Sequence, residues 1–433
     1  MRVPAALVRA RADLPRPVEE VLRTLRAAGH RSWIVGGAVR DLLLRRPRGG
    51  DFDVATPATP EQVRALFRKV VPTGVEHGTV TVVLGGEPIE VTTFRGEGAY
   101  VDGRRPESVT FHTDLEADLA RRDFTMNALA WDPLAPEFRD PFGGRADIAR
   151  RVIRAVGDPA ARFGEDGLRA MRAVRFAAQL GYGLHPRTRA AIPGALDVVR
   201  KVSVERVSDE LAALVVAPHA ERGLALMRRT GLLDVVLPAA SALAPAALDH
   251  AAAVLRAVPD DPALRFAALL HGLGAAEAER VLVGLRQPGR VSGEVAALVR
   301  AHACRLSGPE PLPASPAEVR RWLSRVGPGR SEAQLALARA EAAASRGRAA
   351  REEVKALAAA VARAKAASPP LSAQELALDG RAVMAILGGG PGPHVGEALR
   401  HLLDRVLEDP SLNGPAALER ELRAWWLARK APL

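Results

Sequence analysis

Two aspartates, Asp51 and Asp53, flank Phe52 at the start of a short apolar run. If this run is a β-strand, its alternation projects both carboxylates to one face of a sheet. Adjacent carboxylates repel each other unless a cation lies between them, and hard oxygen ligands are those that Mg²⁺ prefers. The pair therefore indicates a site for two Mg²⁺ ions that activate a hydroxyl and neutralise a triphosphate, with a solvated strand end as the alternative.

Two glycines, Gly36 and Gly37, precede the aspartates and stand between a predicted strand and a predicted helix. Glycines there let a ligand approach the backbone closely, and the free amides at a helix N-terminus bind phosphate. Two glycines alone also fit a plain turn. The strand, Gly-Gly, helix and strand order, with the Asp51–Asp53 pair following Asp41 after nine residues, makes the combined pattern far more specific.

Further charged residues favour a nucleotide site. Arg122, in the run Arg121-Arg122-Asp123, offers a guanidinium that would stabilise charge on a leaving pyrophosphate, although paired arginines also occur as solvated patches. Glu90 falls on a predicted strand, where it is either a third metal ligand or a surface residue of a hairpin.

Asp166 and Arg169 lie three residues apart on a predicted helix, which places them on one face. A carboxylate that accepts from an exocyclic amino group, beside a guanidinium that donates to a ring nitrogen, matches cytosine and adenine. Uracil and guanine present a carbonyl acceptor beside an N–H donor, which is the opposite order, and would leave the carboxylate and the guanidinium unpaired. The pair could thus select C or A, or be a simple salt bridge.

The elements that position these residues change along the chain. The first 140 residues mix strand and helix signals, whereas we expect no strand beyond about residue 145. The predicted strands are 32–35, 52–55, 79–84 and 89–94, and the predicted helices of this part are 38–45 and 60–69, the second capped by Thr59. The later helices are predicted at 165–180, 204–216, 247–258, 262–270 and 344–367, with a proline-rich hinge at 308–316.

Composition limits the class of protein. The chain has 433 residues, 48% hydrophobic and 26% charged, and no apolar stretch of membrane-spanning length. Cys304 is the sole cysteine, which excludes an intramolecular disulfide and favours a reducing cytoplasm. The formal charge of +11 suggests a polyanionic partner, although the excess of Arg over Lys also fits a GC-rich coding sequence.

Several long motifs together resemble the class II tRNA nucleotidyltransferases, a family of CCA-adding enzymes and bacterial poly(A) polymerases. They follow the family's order over about half of the chain. The stretches concerned are Val35–Asp41, Asp51–Thr56, Glu90–Arg95, Asp102–Pro106, Arg121–Leu129, Glu165–Phe176 and Val204–Val207.

This resemblance implies an α+β fold, with a polymerase-beta-like nucleotidyltransferase head built on a small mixed sheet and an all-α neck, body and tail. It implies Mg²⁺ bound by Asp51 and Asp53, base selection by Asp166 and Arg169, and tRNA, CTP and ATP as ligands. The further nucleotide contacts that we expect are Gly36, Gly37, Arg40, Arg122, Arg172 and Arg175. The expected domains are the head at residues 1–145, a neck that binds the base and RNA at 146–225, a body at 226–310 and a tail at 311–433. The body and tail are expected to bind the acceptor stem and T arm of tRNA, with no protein partner and no membrane implied.

Within the family, the stretch Val71–Thr79 is similar to CCA-adding enzymes rather than to poly(A) polymerases. The segment Tyr100–Pro106 resembles a loop needed for terminal A addition, and Gly392–Leu399 with Asp409–Asn413 resemble the tail of CCA-adding enzymes. We therefore expect full CCA addition. An A-adding enzyme or a poly(A) polymerase stays as the alternative, and a catalytically inactive RNA-binding protein is the rival of another class.

One departure concerns His271, at a place where many relatives carry a His-Asp phosphohydrolase motif. Gly272 replaces the aspartate and cannot bind a metal, and His250 is a possible upstream partner. We expect a degenerate helical scaffold with His271 as a satisfied core histidine and no phosphohydrolase activity.

Overall fold

The computed structural model describes residues 2–46, 52–75, 78–97, 109–111, 114–302, 312–345 and 347–430. Asp51, Cys304, the segment Tyr100–Pro106 and the first part of the predicted hinge lie outside the described residues. The chain divides into two compact units, Met1–Pro238 and Ala239–Leu433. The four-domain division stays a prediction.

A seven-stranded mixed sheet organises the first unit, in the order β3-β4-β5-β2-β1-β8-β9. Its strands are β1 (Trp33–Val35), β2 (Asp53–Thr56), β3 (Val70–Gly74), β4 (Thr79–Leu84), β5 (Glu87–Thr93), β8 (Ala130–Asp132) and β9 (Glu137–Arg139). Two smaller pairs are β6 (Arg95–Glu97) with β7 (Val109–Phe111) and β10 (Val152–Ile153) with β11 (Gly183–Leu184).

Helices surround this sheet and continue beyond it. They are α1 (Ala5–Ala10), α2 (Arg16–Ala27), α3 (Gly37–Leu44), α4 (Pro60–Leu66), α5 (Leu115–Ala120), α6 (Gly144–Arg150), α7 (Pro159–Glu165), α8 (Leu168–Leu180), α9 (Pro186–Ala191), α10 (Leu196–Val199), α11 (Val204–Val215), α12 (Ala220–Thr230) and α13 (Leu232–Val236). A short 3₁₀ helix spans Thr125–Asn127, and α14 (Pro238–Ser241) crosses the boundary of the units.

The second unit is helical throughout its described residues. Its helices are α15 (Pro245–Ala257), α16 (Pro262–Leu270), α17 (Ala275–Gly284), α18 (Gly289–Arg300), α19 (Pro316–Val326), α20 (Ser331–Ala344), α21 (Arg348–Ala366), α22 (Gly380–Leu387), α23 (Pro393–Glu408) and α24 (Pro415–Lys430). Turns of 3₁₀ helix include His271–Leu273 and Pro410–Leu412.

The sheet register fixes the positions of the acidic residues. Val35 pairs with Asp53 across the antiparallel β1–β2 pair, so Asp53 lies beside the Gly36 turn. Asp53 pairs in turn with Glu90 across the parallel β2–β5 pair. Since paired residues project from the same face of a sheet, Asp53 and Glu90 point to the same side.

An apolar core beside β1 holds the head together. A core of fully buried side chains forms where Trp33 and Val35 of β1 meet Leu119 of α5, with Phe94 and Val156 beside them. At about 25 cal/mol per Å² of apolar surface, the burial of each such side chain contributes roughly 1.5–3 kcal/mol. This core anchors β1, and hence the turn that follows it.

The α+β fold with a helical remainder is confirmed, as are the β4–β5 hairpin and the Thr59 cap. Thr59 forms a capping box with Gln62 at the start of α4. Helix α4 nevertheless ends at Leu66, three residues before the predicted end at residue 69, because Phe67 is extended, and β3 begins at Val70. The expectation that strands end near residue 145 is wrong for β10 and β11, which form a two-residue parallel pair.

The predicted helix 165–180 is also wrong at its start. Asp166 is extended, with φ −145° and ψ 109°, and separates α7 from α8. Its carboxylate accepts a hydrogen bond at 3.0 Å from the amide of Leu168, the first residue of α8. A Cβ on Gly167 would lie 2.6 Å from the backbone at Val198 and Val199, so the break is packed against α10 and requires glycine.

The tail motif Asp409–Asn413 joins two parts of the second unit. The Asn413 side chain accepts from the Ala377 amide at 2.9 Å and donates to the Glu375 carbonyl at 3.1 Å. Among the described residues, no helix combines the length and the apolar character that a bilayer crossing requires.

Candidate active site

An open pocket of about 680 Å³ lies between the Gly36 turn, the start of β2 and helix α8. It brings together Asp53 and most of the predicted nucleotide contacts. The lining residues are Gly36, Gly37, Ala38, Arg40, Asp41, Leu42, Arg46, Phe52, Asp53, Arg122, Asp123, Asn127, Arg172, Arg175, Phe176 and Gln179. Five arginines against three aspartates make the lining cationic, which suits a polyanionic ligand.

The Gly36 turn needs glycine for two reasons. Its φ is +73°, in the region that side chains rarely adopt. A Cβ there would also lie 2.8 Å from Nη1 of Arg122 and 3.4 Å from Oδ2 of Asp53. The N-cap of α3 has no side-chain hydrogen bond, so the first-turn amides of Gly37 and Ala38 line the pocket without an intramolecular cap.

Of the three predicted metal ligands, Asp53 is the one that the structure places in the pocket lining. Glu90 does not line it, although its position in register with Asp53 sets both residues on the same sheet face. Asp51 lies outside the described residues. Two of the three predicted metal ligands are therefore on adjacent strands, and the third precedes β2.

Arg122 is held at the pocket by a buried acidic anchor. Its Nη2 lies 3.4 Å from Oδ2 of Asp118, and Nη2 of Arg121 lies 2.7 Å from Oδ1 of the same carboxylate. Burial opposes ionisation of Asp118, but the two guanidiniums outweigh it and lower its pKa. Among the described residues, the buried Nε of Arg122 has no hydrogen-bond partner.

Arg40 connects α3 to the 3₁₀ segment. Its Nε and Nη2 donate to the two oxygens of Asp41, each at 2.9 Å, and its Nη1 donates to Oδ1 of Asn127 at 2.7 Å. The side chain is buried and lies over the Phe176 ring, with Cζ 5.0 Å from the ring centroid. Arg40 is thus fixed in place before any ligand binds.

Asp123 continues this network to helix α8. Its Oδ1 accepts from Nδ2 of Asn127 at 3.0 Å, and its Oδ2 accepts from Nε and Nη2 of Arg172, both at 2.8 Å. Burial raises the pKa of Asp123, but Arg172 and Asn127 more than compensate and lower it. A double hydrogen bond between a guanidinium and a buried carboxylate fixes α8 against the head.

Arg175 lines the far side of the pocket. Its Nε donates to Glu210 of α11 at 2.5 Å, its Nη1 donates to Gln179 at 2.9 Å, and its Cζ lies 4.0 Å from the centre of the Phe176 ring. Burial lowers its pKa, and Glu210 opposes that shift.

Asp166 and Arg169 do not line the pocket. Oδ2 of Asp166 accepts from Nη2 of Arg206 at 2.8 Å. Nη2 of Arg169 donates to the carbonyl of Arg121 at 3.1 Å, directly beside Arg122, and its Nη1 pairs with Glu165. Arg169 is therefore close to the predicted phosphate ligand Arg122, whereas Asp166 precedes α8 and does not share a helical face with Arg169.

Several lining residues were missed by the sequence analysis. Asp123 and Asn127 fall within the motif Arg121–Leu129, and Phe176 ends the motif Glu165–Phe176, so position in those motifs was an available signal. Glu210 and Asp118 gave no such signal, because a carboxylate that orients an arginine looks in sequence like any surface acid.

The comparisons with known proteins agree with this geometry. Residues 32–154 match the Poly A polymerase head domain, and residues 181–243 match a probable RNA and SrmB- binding site of polymerase A. The CCA-adding enzyme of Geobacillus stearothermophilus is 39% identical over 411 residues, 94% of this chain and 96% of that protein.

Solved structures show the same likeness. The crystal structure of the Bacillus stearothermophilus CCA-adding enzyme in complex with CTP matches with a TM-score of 0.77 at 35% identity, over 96% of this chain and 99% of that chain. A tRNA nucleotidyltransferase complexed with a primer tRNA and an incoming ATP analog shares the fold at 23% identity, with a TM-score of 0.62, over 80% of this chain and 99% of that chain. With such identity along nearly its whole length, the chain belongs to the family of the CCA-adding enzymes.

Proposed function

We propose that this protein adds or repairs the 3′-terminal CCA of tRNA, with CTP and ATP as substrates and no nucleic-acid template. The observation that carries the proposal is its identity of 39% to a CCA-adding enzyme over 94% of the chain. In this reaction the 3′ oxygen of the tRNA attacks the α-phosphorus of the nucleotide. The bond from that phosphorus to the bridging oxygen breaks, and pyrophosphate leaves.

The residues of the pocket suit the triphosphate. The uncapped amides at the start of α3 and the guanidinium of Arg122 offer donors to phosphate oxygens. Arg40 engages three of its five N–H donors with Asp41 and Asn127, and the remaining two are available to phosphate or sugar. Because these groups are already fixed, binding costs little reorganisation.

Asp51, Asp53 and Glu90 are the groups that would hold Mg²⁺. The fit rests on Asp53 in the pocket and on Glu90 in register with it on the same sheet face. Two bound Mg²⁺ ions would supply activation of the 3′-hydroxyl and neutralisation of the triphosphate charge. The carboxylates provide the negative charge that a cation needs beside a phosphate.

Asp166 and Arg169 are proposed to select C or A. The Asp166 carboxylate would accept from the exocyclic amino group, and the Arg169 guanidinium would donate to the ring nitrogen. The contact of Arg206 with Oδ2 of Asp166 orients the carboxylate, and the contact of Arg169 with the Arg121 carbonyl sets it beside the phosphate ligands. Arg172 and Arg175 are the further nucleotide contacts, since both line the pocket.

We propose that the chain forms four domains, at residues 1–145, 146–225, 226–310 and 311–433. The helical body and tail would grip the acceptor stem and T arm by shape and phosphate rather than by base sequence. The formal net charge of +11 supports a polyanionic substrate. With a single cysteine and tRNA as substrate, the reaction is assigned to the cytoplasm.

An A-adding enzyme or a poly(A) polymerase would share the head pocket. Incubating the protein with tRNA that lacks its last three nucleotides, and with one labelled nucleoside triphosphate at a time, separates the candidates. CCA addition predicts incorporation from CTP alone. Incorporation from ATP alone, with none from CTP, would refute full CCA addition.

The base-selection assignment has its own test. Asp166→Ala should weaken binding of CTP and ATP and let UTP compete, because the acceptor for the amino group is lost. Asp158→Ala is the matched control, since Asp158 caps the preceding helix α7 through the Ala161 amide and does not line the pocket. Nucleotide choice that is the same in both variants would count against the assignment.

A further inference from the structure

Three histidines surround one carboxylate in the second unit, and we call these four residues the histidine cluster. Nε2 of His302, His271 and His250 lie 2.7, 3.3 and 3.5 Å from Oε1 of Glu341. His250 is on α15, His271 follows α16, His302 follows α18, and Glu341 is on α20. Four separate helical segments therefore converge on one oxygen atom.

The cluster is buried. Glu341 is 0% exposed, His302 6% and His271 7%, and only His250 is partly accessible. A carboxylate without access to water needs a compensating cation, because burial of an uncompensated charge costs several kcal/mol. A metal ion held between the imidazoles and the carboxylate would be such a cation.

The hydrogen bonds of the rings favour a metal. Nδ1 of His271 lies 2.9 Å from the Ala268 carbonyl, which can only accept, so Nδ1 carries the ring proton. In the neutral ring, Nε2 then presents a lone pair to Glu341. Nε2 of His250 is buried and has no hydrogen-bond partner among the described residues.

Two ring nitrogens and one carboxylate oxygen thus face one another. These three atoms all lie within 4.8 Å of one another. Tetrahedral ligands at about 2.0–2.2 Å from Zn²⁺ are about 3.3–3.6 Å apart, close to the separations of His271 and His250 from Glu341. An imidazole fixed by a second hydrogen bond to a carbonyl is a common partner of zinc.

We propose that His250, His271 and Glu341 bind a divalent transition-metal ion of the Zn²⁺ class, and that His302 positions the Glu341 carboxylate. The short bond from Nε2 of His302 orients that oxygen, as outer hydrogen bonds do at metal sites. Gly272 has no side chain that could bind a metal. A Cβ added there would lie 3.5 Å from the Leu243 side chain.

The ion would cross-link α15, the end of α16 and α20. Metal binding to a folded site adds to folding stability by mass action. His271 was expected to be a core histidine with its hydrogen bonds satisfied. This holds for Nδ1, which bonds the Ala268 carbonyl, but the expectation did not include the position of Nε2 facing Glu341. Sequence reasoning missed Glu341 and His302 because both are distant in the chain and belong to no recognised motif.

The test uses the full chain without a histidine tag, stripped with a chelator and then given Zn²⁺ or Co²⁺. We expect about one zinc ion per chain after gel filtration, a tetrahedral Co²⁺ absorption spectrum and a higher melting temperature with Zn²⁺. His271→Gln and Glu341→Gln should lose all three. Asp53→Asn, which alters the head pocket, should keep them.

His401→Gln is the matched control, because it removes a histidine of the same unit that stacks on Trp425 away from the cluster. It should bind zinc like the parent chain. Equal zinc in His271→Gln and the parent, or a parent chain with no bound zinc and no tetrahedral Co²⁺ spectrum, would overturn the proposal. The parent spectrum decides even if a cluster variant does not fold.

Discussion

Buried carboxylates are compensated differently in the two units of this protein. In the head pocket, Asp118 and Asp123 are bound by arginines, which lower the pKa of both against the effect of burial. In the histidine cluster, Glu341 faces three imidazoles, and burial lowers the pKa of His271 even though Glu341 opposes the shift. Arginine is always charged, whereas a buried imidazole tends to be neutral.

This difference separates two kinds of site. The head carries its own permanent cations, so its network is complete before a nucleotide arrives and can act on the nucleotide's charge. The four members of the cluster include no permanent cation, and the proposed metal ion would supply one. The comparison predicts that each site can be damaged without the other.

The largest effect is expected from the head carboxylates. Replacing Asp51 and Asp53 together by alanine should reduce nucleotide addition by at least about a thousandfold, because several kcal/mol of charge stabilisation are lost. Binding of tRNA, measured by gel shift, should be nearly unchanged. Asp13→Ala, an exposed aspartate of the same unit, is the control, and normal turnover in the double variant would contradict the metal assignment.

Next in size is the link between Asp123 and Arg172. Arg172→Ala leaves a buried carboxylate without its double hydrogen bond and should lower the free energy of unfolding by on the order of 3 kcal/mol. The measurement is urea unfolding of the parent and the variant at neutral pH. Arg200→Ala is the control, because its partner Asp197 is exposed. An equal or smaller loss of unfolding free energy in Arg172→Ala would show that the Asp123–Arg172 link does not stabilise the fold.

The same pair predicts a pH dependence. Because the folded pKa of Asp123 is lowered, its stabilising contribution is present above the unfolded value of about 3.9 and is lost as the pH falls through the lower folded value. In a plot of the free energy of unfolding against pH, Asp123→Asn should therefore give a shallower decline on the acid side than the parent chain. An acid limb as steep as that of the parent chain would argue that other carboxylates dominate.

A smaller effect is expected at Gly36. Gly36→Ala combines a strained φ with a contact of 2.8 Å to Arg122, so it should reduce kcat/KM by roughly tenfold and cost about 1–2 kcal/mol of stability. Gly86 has φ +86° and nothing within 4 Å of an added Cβ, so Gly86→Ala tests the strain alone. If both variants keep full activity, the close approach at Gly36 has no role in catalysis.

The smallest effect on nucleotide addition should come from the cluster itself. His271→Gln should change kcat/KM by less than about twofold while lowering the melting temperature in the presence of zinc. We also expect no metal-stimulated hydrolysis of 2′,3′-cyclic phosphates. Such turnover, lost in His271→Ala, would show that the cluster is catalytic.

Much of the head could be predicted from sequence because its signals are local. Short runs of strand-forming residues mark β1 and β2, two such runs around a Gly-Gly turn mark the β4–β5 hairpin, and Thr59 with Gln62 marks a helix start. The break at Asp166 was missed because Gly167 is required by packing against Val198 and Val199, which is a contact across about thirty residues of chain. Local periodicity contains no information on such an approach.

The residues of the candidate site also fall into two groups, those that a local motif identifies and those that tertiary packing brings together. Gly36, Arg40, Asp53, Arg122 and Arg172 were found because each stands in a contiguous motif. Asp118 and Glu210 act by orienting arginines from other helices, and the histidine cluster assembles from four distant segments. These are products of tertiary packing, which one sequence does not encode as a local pattern.

The most direct test of the central claim is the sequence of the product. The protein is incubated with CTP, ATP and tRNA that lacks its last three nucleotides, and the new 3′ ends are sequenced. The account predicts that nearly all extended molecules end in C-C-A and grow no further. Ends that carry only A, or a long run of A, would contradict it.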